Sequence, residues 1–196
     1  MEEQKYLLSH PNYKELEISG YTLHNLQLVT PSIKFAKESL DWVSDKEVGQ
    51  YMGTDFSYAS FEREEKRLKE ILEDVDAYNW IIVSDGKIIG NINISNIGQT
   101  SKELGVKSGK LNYLIGDKNL WGQGIATAVA KTVLTWAFNS CGFEVVKSRV
   151  VPQNKSSQAV LKKLGFVEYG KEEYDGPGLG EPTWYITYKL PRAESL

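Results

Sequence analysis

The sequence predicts an α/β (α+β) chain of one domain, built on a mixed sheet of about six to seven strands. Three observations carry this. Two β-rich runs, Trp80–Val83 and Lys87–Ile94, flank Asp85-Gly86, which is a strong hairpin signal. A strand, a glycine-rich turn and a long helix follow one another from Asn112 to about Ser140, with Ile125, Ala128, Val129, Val133, Trp136 and Ala137 at helical spacing. A further strand, Glu144–Val151, comes next, and a strand reached through a helix crossover pairs parallel with the one before it.

The remaining elements follow in order. Residues 1–22 are weakly patterned and read as an N-terminal extension that adds a short strand or a turn of helix to the edge of the fold. Leu23–Val29 alternates in part and reads as the first strand. Thr30 then caps a helix with Pro31 in its first position, and Ile33, Ala36, Leu40 and Val43 carry it onward. Ser44 or Asp45 can cap a second short helical segment before Gly53. Ser60–Tyr78 reads as a helix with an apolar stripe of Phe61, Leu68, Ile71, Leu72 and Val75, and its charge run, Glu62 to Glu70, reads as a solvated face. Gln99–Lys110 is polar and reads as a surface loop. Asn154–Leu164 is a short helix stopped by Gly165. Phe166–Tyr169 and Thr183–Leu190 read as closing strands joined by a loop that includes Asp175–Gly180, and a closing strand at a sheet edge could support a homodimer.

At 196 residues the chain is long enough for one sizeable core, and neither a repeat nor a linker divides residues 1–196. A net charge of −3 excludes a broad surface for nucleic acid or anionic membrane. The single cysteine, Cys141, excludes an internal disulfide and reads as packing. No apolar run approaches a membrane span, and the first residues lack the layout of a signal peptide, so the expected setting is cytoplasmic. His10 and His24 lack partners at ligand spacing, so no metal site is expected.

The glycine-rich turn is where chemistry is expected. Gly122 and Gly124 let the backbone approach a ligand closely. The N–H groups of the first helical turn, from about Gln123 to Thr127, have no partners within the helix. They make an anion site suited to a phosphate or pyrophosphate.

This stretch resembles the cofactor signature of the GNAT superfamily of N-acetyltransferases, Gln/Arg-x-x-Gly-x-Gly/Ala, whose amides hold the pyrophosphate of coenzyme A. Gly124-Ile125-Ala126 match its last three positions, and Trp121 stands where Gln or Arg leads. Trp-Gly-x-Gly-x-Ala-Thr is similar to the branch that acetylates protein N-termini, the ribosomal-protein alanine acetyltransferases of RimJ and RimL type. Asn154-x-x-Ser157 with Leu164-Gly165-Phe166 is a second resemblance. Alone, Asn154 would be a helix cap; the two motifs together turn the reading toward a contact with the pantetheine arm.

The resemblance implies a single GNAT-like domain with helices on both sheet faces and a splayed parallel strand pair. It implies acetyl-coenzyme A as cosubstrate and a protein N-terminus or small amine as acceptor. The coenzyme-binding positions it implies are Leu114, Ile115, Gln123, Gly124, Ile125, Ala126, Thr127, Asn154 and Ser157. In the family the cofactor strand carries a bulge, where a backbone N–H holds the acetyl oxygen. Here it would come from Leu114, Ile115 or Gly116, with Ile115 preferred. Many members carry a tyrosine acid one turn after the Ser157 position; that place is Leu161, so Ser157 is the candidate acid. Glu173, in Glu173-Tyr174-Asp175-Gly176, aligns with the branch's proposed base, although a charged, exposed turn is the plainer reading. The following Pro177–Pro182 departs from the branch. Lys155 is a candidate for the 3′-phosphate, and Trp42, Tyr51 and Met52 for the acceptor wall; an exposed lysine and ordinary core are the plainer readings. Two other functions stay open: a non-catalytic acyl-coenzyme-A binder, given Leu161, and a dinucleotide-binding oxidoreductase, in which Thr127 would replace the third glycine.

Overall fold

The computed structural model describes residues 15–18, 21–51, 59–174 and 184–192. Met52 and the stretch from Asp175 to Thr183, with the expectations placed on them, lie outside the described residues. The strands are β1 (Glu15–Glu17), β2 (Leu26–Val29), β3 (Tyr78–Ser84), β4 (Lys87–Ser95), β5 (Ser108–Ile115), β6 (Val145–Val150), β7 (Val167–Glu173) and β8 (Trp184–Pro191). The helices are α1 (Ala36–Val43), α2 (Lys46–Gly49), α3 (Phe61–Glu73), α4 (Ile97–Leu104), α5 (Ile125–Ser140) and α6 (Lys155–Lys163).

The strands form one eight-stranded sheet in the order β1-β2-β3-β4-β5-β6-β8-β7. The eighth member is the three-residue β1, which lies in the weakly patterned extension. Every neighbouring pair is antiparallel except β5–β6. The hairpin turn falls at Asp85 and Gly86, both with positive φ (49° and 81°), as a tight turn between twisted strands requires.

Both faces of the sheet are covered, and all of β3 is buried. On one face α5 lays Val129, Ala130, Val133 and Ala137 against Trp80, Ile82, Ile92 and Ile94. Trp136 meets Trp80 edge-on at 5.1 Å and Tyr78 at 4.9 Å, the arrangement that ring quadrupoles favour. On the other face Trp42 and Val48 pack on Ile81, Val83 and Ile88.

Several boundaries differ from the sequence reading. The helix expected from Thr30 begins as a 3-10 turn, Ile33–Phe35, and neither Thr30 nor Pro31 belongs to it. Asp45 does cap α2, accepting from the N–H groups of Glu47 and Val48. The α3 helix ends at Glu73, and the chain re-extends so that Tyr78 opens β3. Phe61 and Val75, counted in its apolar stripe, are exposed, whereas Glu64, counted on the solvated face, is buried. Its carboxylate takes two bonds from Arg67 and one from Ser39 of α1, the pairing a buried charge needs. The polar run after Gln99 is not a loop. It contains α4, tied down where Asp76 accepts from Gly98 N–H at 2.6 Å, and closed by Gly105 at φ 72°.

The feature that positions the site is the incomplete pairing of β5 with β6. Only Ser108↔Val145, Gly109↔Val146 and Lys110↔Lys147 are paired. Beyond Lys110, β6 keeps its register with β8 as far as Val150↔Ile186, while β5 keeps its register with β4 as far as Ile115↔Gly90. The two parallel strands therefore part, as the resemblance implies. The bulge it also implies does not interrupt the β4–β5 register.

Gly90 is fixed by this geometry: a Cβ there would lie 2.0 Å from the carbonyl oxygen of Leu114, a backbone atom that has nowhere to go. We predict that Gly90→Ala costs about 1–3 kcal/mol, lowering the melting temperature by about 2–4 °C per kcal/mol. Unchanged thermal unfolding would contradict the close approach of β4 and β5.

Candidate active site

The open edge of β5 can be oriented from its ends. The hydroxyl of Ser148 on β6 donates to Leu111 carbonyl at 3.0 Å, so Leu111 faces the β6 side. Gly116 N–H donates to Ile89 carbonyl at 2.6 Å, so Gly116 faces the β4 side. Backbone groups alternate along a strand. Tyr113 and Ile115 therefore turn theirs to the edge that β6 has left. Of the three amides the sequence leaves open, that of Gly116 is spent on β4, Leu114 alternates to the same side, and Ile115 faces the gap. The Ile115 carbonyl accepts from the Trp121 indole N–H at 2.8 Å. The tryptophan in the signature's leading position thereby ties the glycine turn to the end of β5.

The turn meets the requirements of an anion cradle. Gly122 and Gly124 have φ of 74° and 82°, and a Cβ on either would meet nothing within 4 Å. Gly124 is the N-cap of α5 and no side chain caps the helix; its first backbone bond is Ala128 N–H to Gly124 carbonyl. Gln123, Gly124, Ile125, Ala126 and Thr127 thus bring their amides to one uncapped helix start at the end of the parting strands. The Ile125 side chain points the other way, into the core. These residues fit a diphosphate, which needs convergent N–H donors and an open approach.

Across the gap, Asn154 caps α6, its Oδ1 accepting from Ser157 N–H at 3.0 Å. The capping role read from Asn154 alone is therefore real. Among the described residues its Nδ2 donates to nothing. Ser157 reaches β5 through Tyr113, whose hydroxyl lies 2.9 Å from Ser157 Oγ and 3.3 Å from Ser157 carbonyl. Tyr113 and Ile115 are two residues apart and share one face of the strand. Burial pushes the Tyr113 phenol up to about 12, so it stays a donor.

Residues 25–167 match the family described as the acetyltransferase (GNAT) domain. The chain belongs to this GNAT acetyltransferase family. Among relatives, YdaF of Bacillus subtilis strain 168, named provisionally as a ribosomal N-acetyltransferase, is 30% identical over 98 residues, which are 50% of each protein. The chain thus spans about half the length of that curated relative. Among solved structures, Mycobacterium smegmatis RimJ in complex with CoA-disulfide superposes with a TM-score of 0.70 at 19% identity, over 85% of this chain and 82% of that one. Spermidine N-acetyltransferase from Vibrio cholerae, in complex with CoA and spermine, does so at 0.72 and 16% identity, over 85% and 95%. At these identities the likeness is one of fold.

Family membership turns Gly122-x-Gly124 away from the dinucleotide reading. Leu161, where many GNAT proteins carry tyrosine, is fully buried in the main core. Glu173 is exposed at the end of the edge strand β7, opposite Trp184, with β8 and β6 between it and β5. It is not brought against Ser157 or Ile115. Its neighbour Glu172 turns inward and lies 3.8 Å from Arg149 of β6. Lys155 is exposed. Trp42 is buried in the second core and fills the space beside Gly116, while Tyr51 is half-buried. Burial pushes the Cys141 thiol up to about 11, in keeping with packing rather than reactivity. Among the described residues no cluster could hold a metal ion, and no helix is long and apolar enough to cross a membrane.

Sequence reasoning missed the N-terminal contribution to the turn. Tyr21 hydroxyl donates to Gln123 carbonyl at 3.1 Å, and His24 Nε2 lies 2.8 Å from Gln123 Oε1. Nothing in the local pattern of residues 15–24 marks a partner a hundred positions away.

The Tyr113–Ser157 contact is open to a direct check. Tyr113→Phe should cost about 1 kcal/mol in denaturant unfolding, an ordinary hydrogen-bond loss. In an absorbance titration, the tyrosinate signal missing from the variant should emerge near pH 12; a difference between the two proteins at pH 10 would contradict the burial of this phenol.

Proposed function

We propose that this protein is an acetyl-coenzyme-A-dependent N-acetyltransferase acting on a primary amine, with a protein N-terminus or a small amine as acceptor. The observation that carries the reading is the alignment of two sets of donors: the Ile115 edge of β5, left open where β6 departs, and the uncapped start of α5 beyond it. An extended ligand with a diphosphate at one end and amides along its length can add to an open strand edge as a further strand would.

When bound, acetyl-coenzyme A supplies an activated acetyl thioester. The amides from Gln123 to Thr127 hold its diphosphate, and Leu114 and Ile115 border its pantetheine arm. The Ile115 N–H donates to the acetyl oxygen, where negative charge develops during attack. Asn154 Nδ2 offers donors to a pantetheine amide. The Ser157 hydroxyl gives its proton to the departing thiolate while the Tyr113 phenol donates to Ser157 from behind. Glu173, at the end of β7, is the carboxylate assigned to take the proton of the incoming ammonium, through intervening water.

The family of the relatives supports the reaction, and YdaF, named provisionally as a ribosomal N-acetyltransferase, supports a protein acceptor. The spermine complex of the Vibrio cholerae enzyme supports a polyamine as the alternative. The single cysteine suits a reducing cytoplasm. The exposed Val167 and Tyr169 on edge strand β7 suit pairing with a second copy.

The test is calorimetric titration with acetyl-coenzyme A, followed by mass spectrometry of acetylated products from a panel of peptides, polyamines and antibiotics. Binding and one acetylated product are expected. Ser157→Ala should lower kcat about 100-fold or more with KM for acetyl-coenzyme A nearly unchanged. Tight binding without turnover across the panel favours the non-catalytic acyl-coenzyme-A binder, for which the buried Leu161 speaks; absence of binding removes both readings.

A further inference from the structure

His24 stands between two oxygen atoms that only accept. Its Nδ1 is 3.1 Å from Asp85 Oδ2, and its Nε2 is 2.8 Å from Gln123 Oε1. The Gln123 amide is oriented by its other end, because Nε2 donates to Asn119 carbonyl at 2.9 Å. A flipped amide would set two carbonyl oxygens against each other. A neutral imidazole carries one N–H and satisfies one of its two neighbours; the imidazolium carries two and satisfies both.

The same segment grips Gln123 a second time. Tyr21 stacks on His24 with centroids 6.3 Å apart and donates its hydroxyl to the Gln123 carbonyl. Asp85 is itself held by Asn25 N–H at 3.1 Å and Ser84 hydroxyl at 3.3 Å. Gln123 immediately precedes the N-cap Gly124. The first turn of α5, Ile125-Ala126-Thr127-Ala128, carries no cation of its own.

We propose that His24, locked as an imidazolium between Asp85 and Gln123, is a positioning residue for the diphosphate turn. It fixes the orientation of Gln123 and adds a positive charge beside amides that face a dianion. The proposal rests on the acetyl-coenzyme-A reading above.

The ionisation of the ring agrees with the geometry. The bonds to Gln123 and then Asp85 raise the His24 pKa above its usual value, against a smaller loss of solvation. Its charged form therefore predominates at pH 6.5 and below, and the latch weakens as pH rises through the raised value. Among the described residues, the titratable groups facing the ring are Asp85 and Tyr21. Asp85 is held below the usual carboxylate range by Asn25 N–H and His24, and the Tyr21 phenol is pushed up by burial. Between pH 6 and 9 only His24 changes charge in this cluster.

The probe is coenzyme A itself, titrated into the full chain at pH 6.0, 7.5 and 9.0, with wild type and His24→Gln compared so that the ligand's own ionisation cancels. At pH 6.0 the variant should bind about three- to fivefold more weakly, the range for a partly exposed charge. The two should converge at pH 9.0. Independently, nitrogen NMR of the ligand-free protein should show both ring nitrogens of His24 protonated at pH 6.5, with Asp85→Asn shifting the titration to lower pH. The chain has two histidines, so His24→Gln assigns the signal. Wild type and variant running parallel across the pH range, or a neutral His24 ring at pH 6.5, would overturn the proposal. Wild-type protein that binds coenzyme A at no pH would instead overturn the cofactor reading on which it rests.

Discussion

A strand that loses its neighbour halfway along exposes backbone donors and acceptors to the protein interior, and such groups must find partners. That condition at β5 governs the site. Ser108 to Lys110 pair with β6 and Lys110 to Ile115 pair with β4, so beyond Lys110 the edge toward β6 is open. At the fork Ser148 replaces a ladder bond with its hydroxyl, and farther along Tyr113 spans the gap to Ser157. Leu111, at the fork, is fully buried and belongs to the main core with Trp80, Ile92 and Ile94.

An open edge is useful only if the ligand's charged end is held at a fixed distance from it. The glycine turn is anchored from outside, which leaves its amides free. Trp121 bonds back to Ile115, Gln123 bonds to Asn119, and Tyr21 and His24 hold Gln123 from the opposite side. Lys118, between them, meets Asp45 at 2.8 Å and Glu47 at 2.9 Å and so links the turn to α2. Exposed ion pairs contribute little individually. Their value here is geometric, since each constrains a short irregular segment between two rigid elements.

The chemistry of the gap is set by neutral groups. Tyr113 and Ser157 are both hydroxyls, and burial keeps the phenol protonated across any working pH. With Leu161 committed to the core, the hydroxyl that α6 brings to Tyr113 is that of Ser157. A serine hydroxyl in contact with a phenol is a two-hydroxyl arrangement, with the phenol supplied by the strand rather than the helix.

Local patterns sufficed for the elements whose signals are covalent or periodic. The Asp85-Gly86 hairpin, the α5 stripe, a cap at Ser44 or Asp45, the cap Asn154, and the parallel order of β5 and β6 all follow from turn chemistry, spacing and chain connectivity. The two motifs on α5 and α6 pointed to one cleft for the same reason. What the sequence by itself could not determine is what depends on partners far along the chain. Helix α4 forms from polar residues because Asp76 holds its first turn; Glu64 leaves the solvated face because Ser39 and Arg67 enclose it; and β5 turns the Ile115 amide to the gap because Ile89 claims the next one. The glycine turn is held because tertiary folding brings Tyr21 and His24 to Gln123. Periodicity reports which face of an element is apolar, whereas the partner of a polar group is decided only when distant elements pack, because a hydrogen bond depends on position in space and not on separation in sequence.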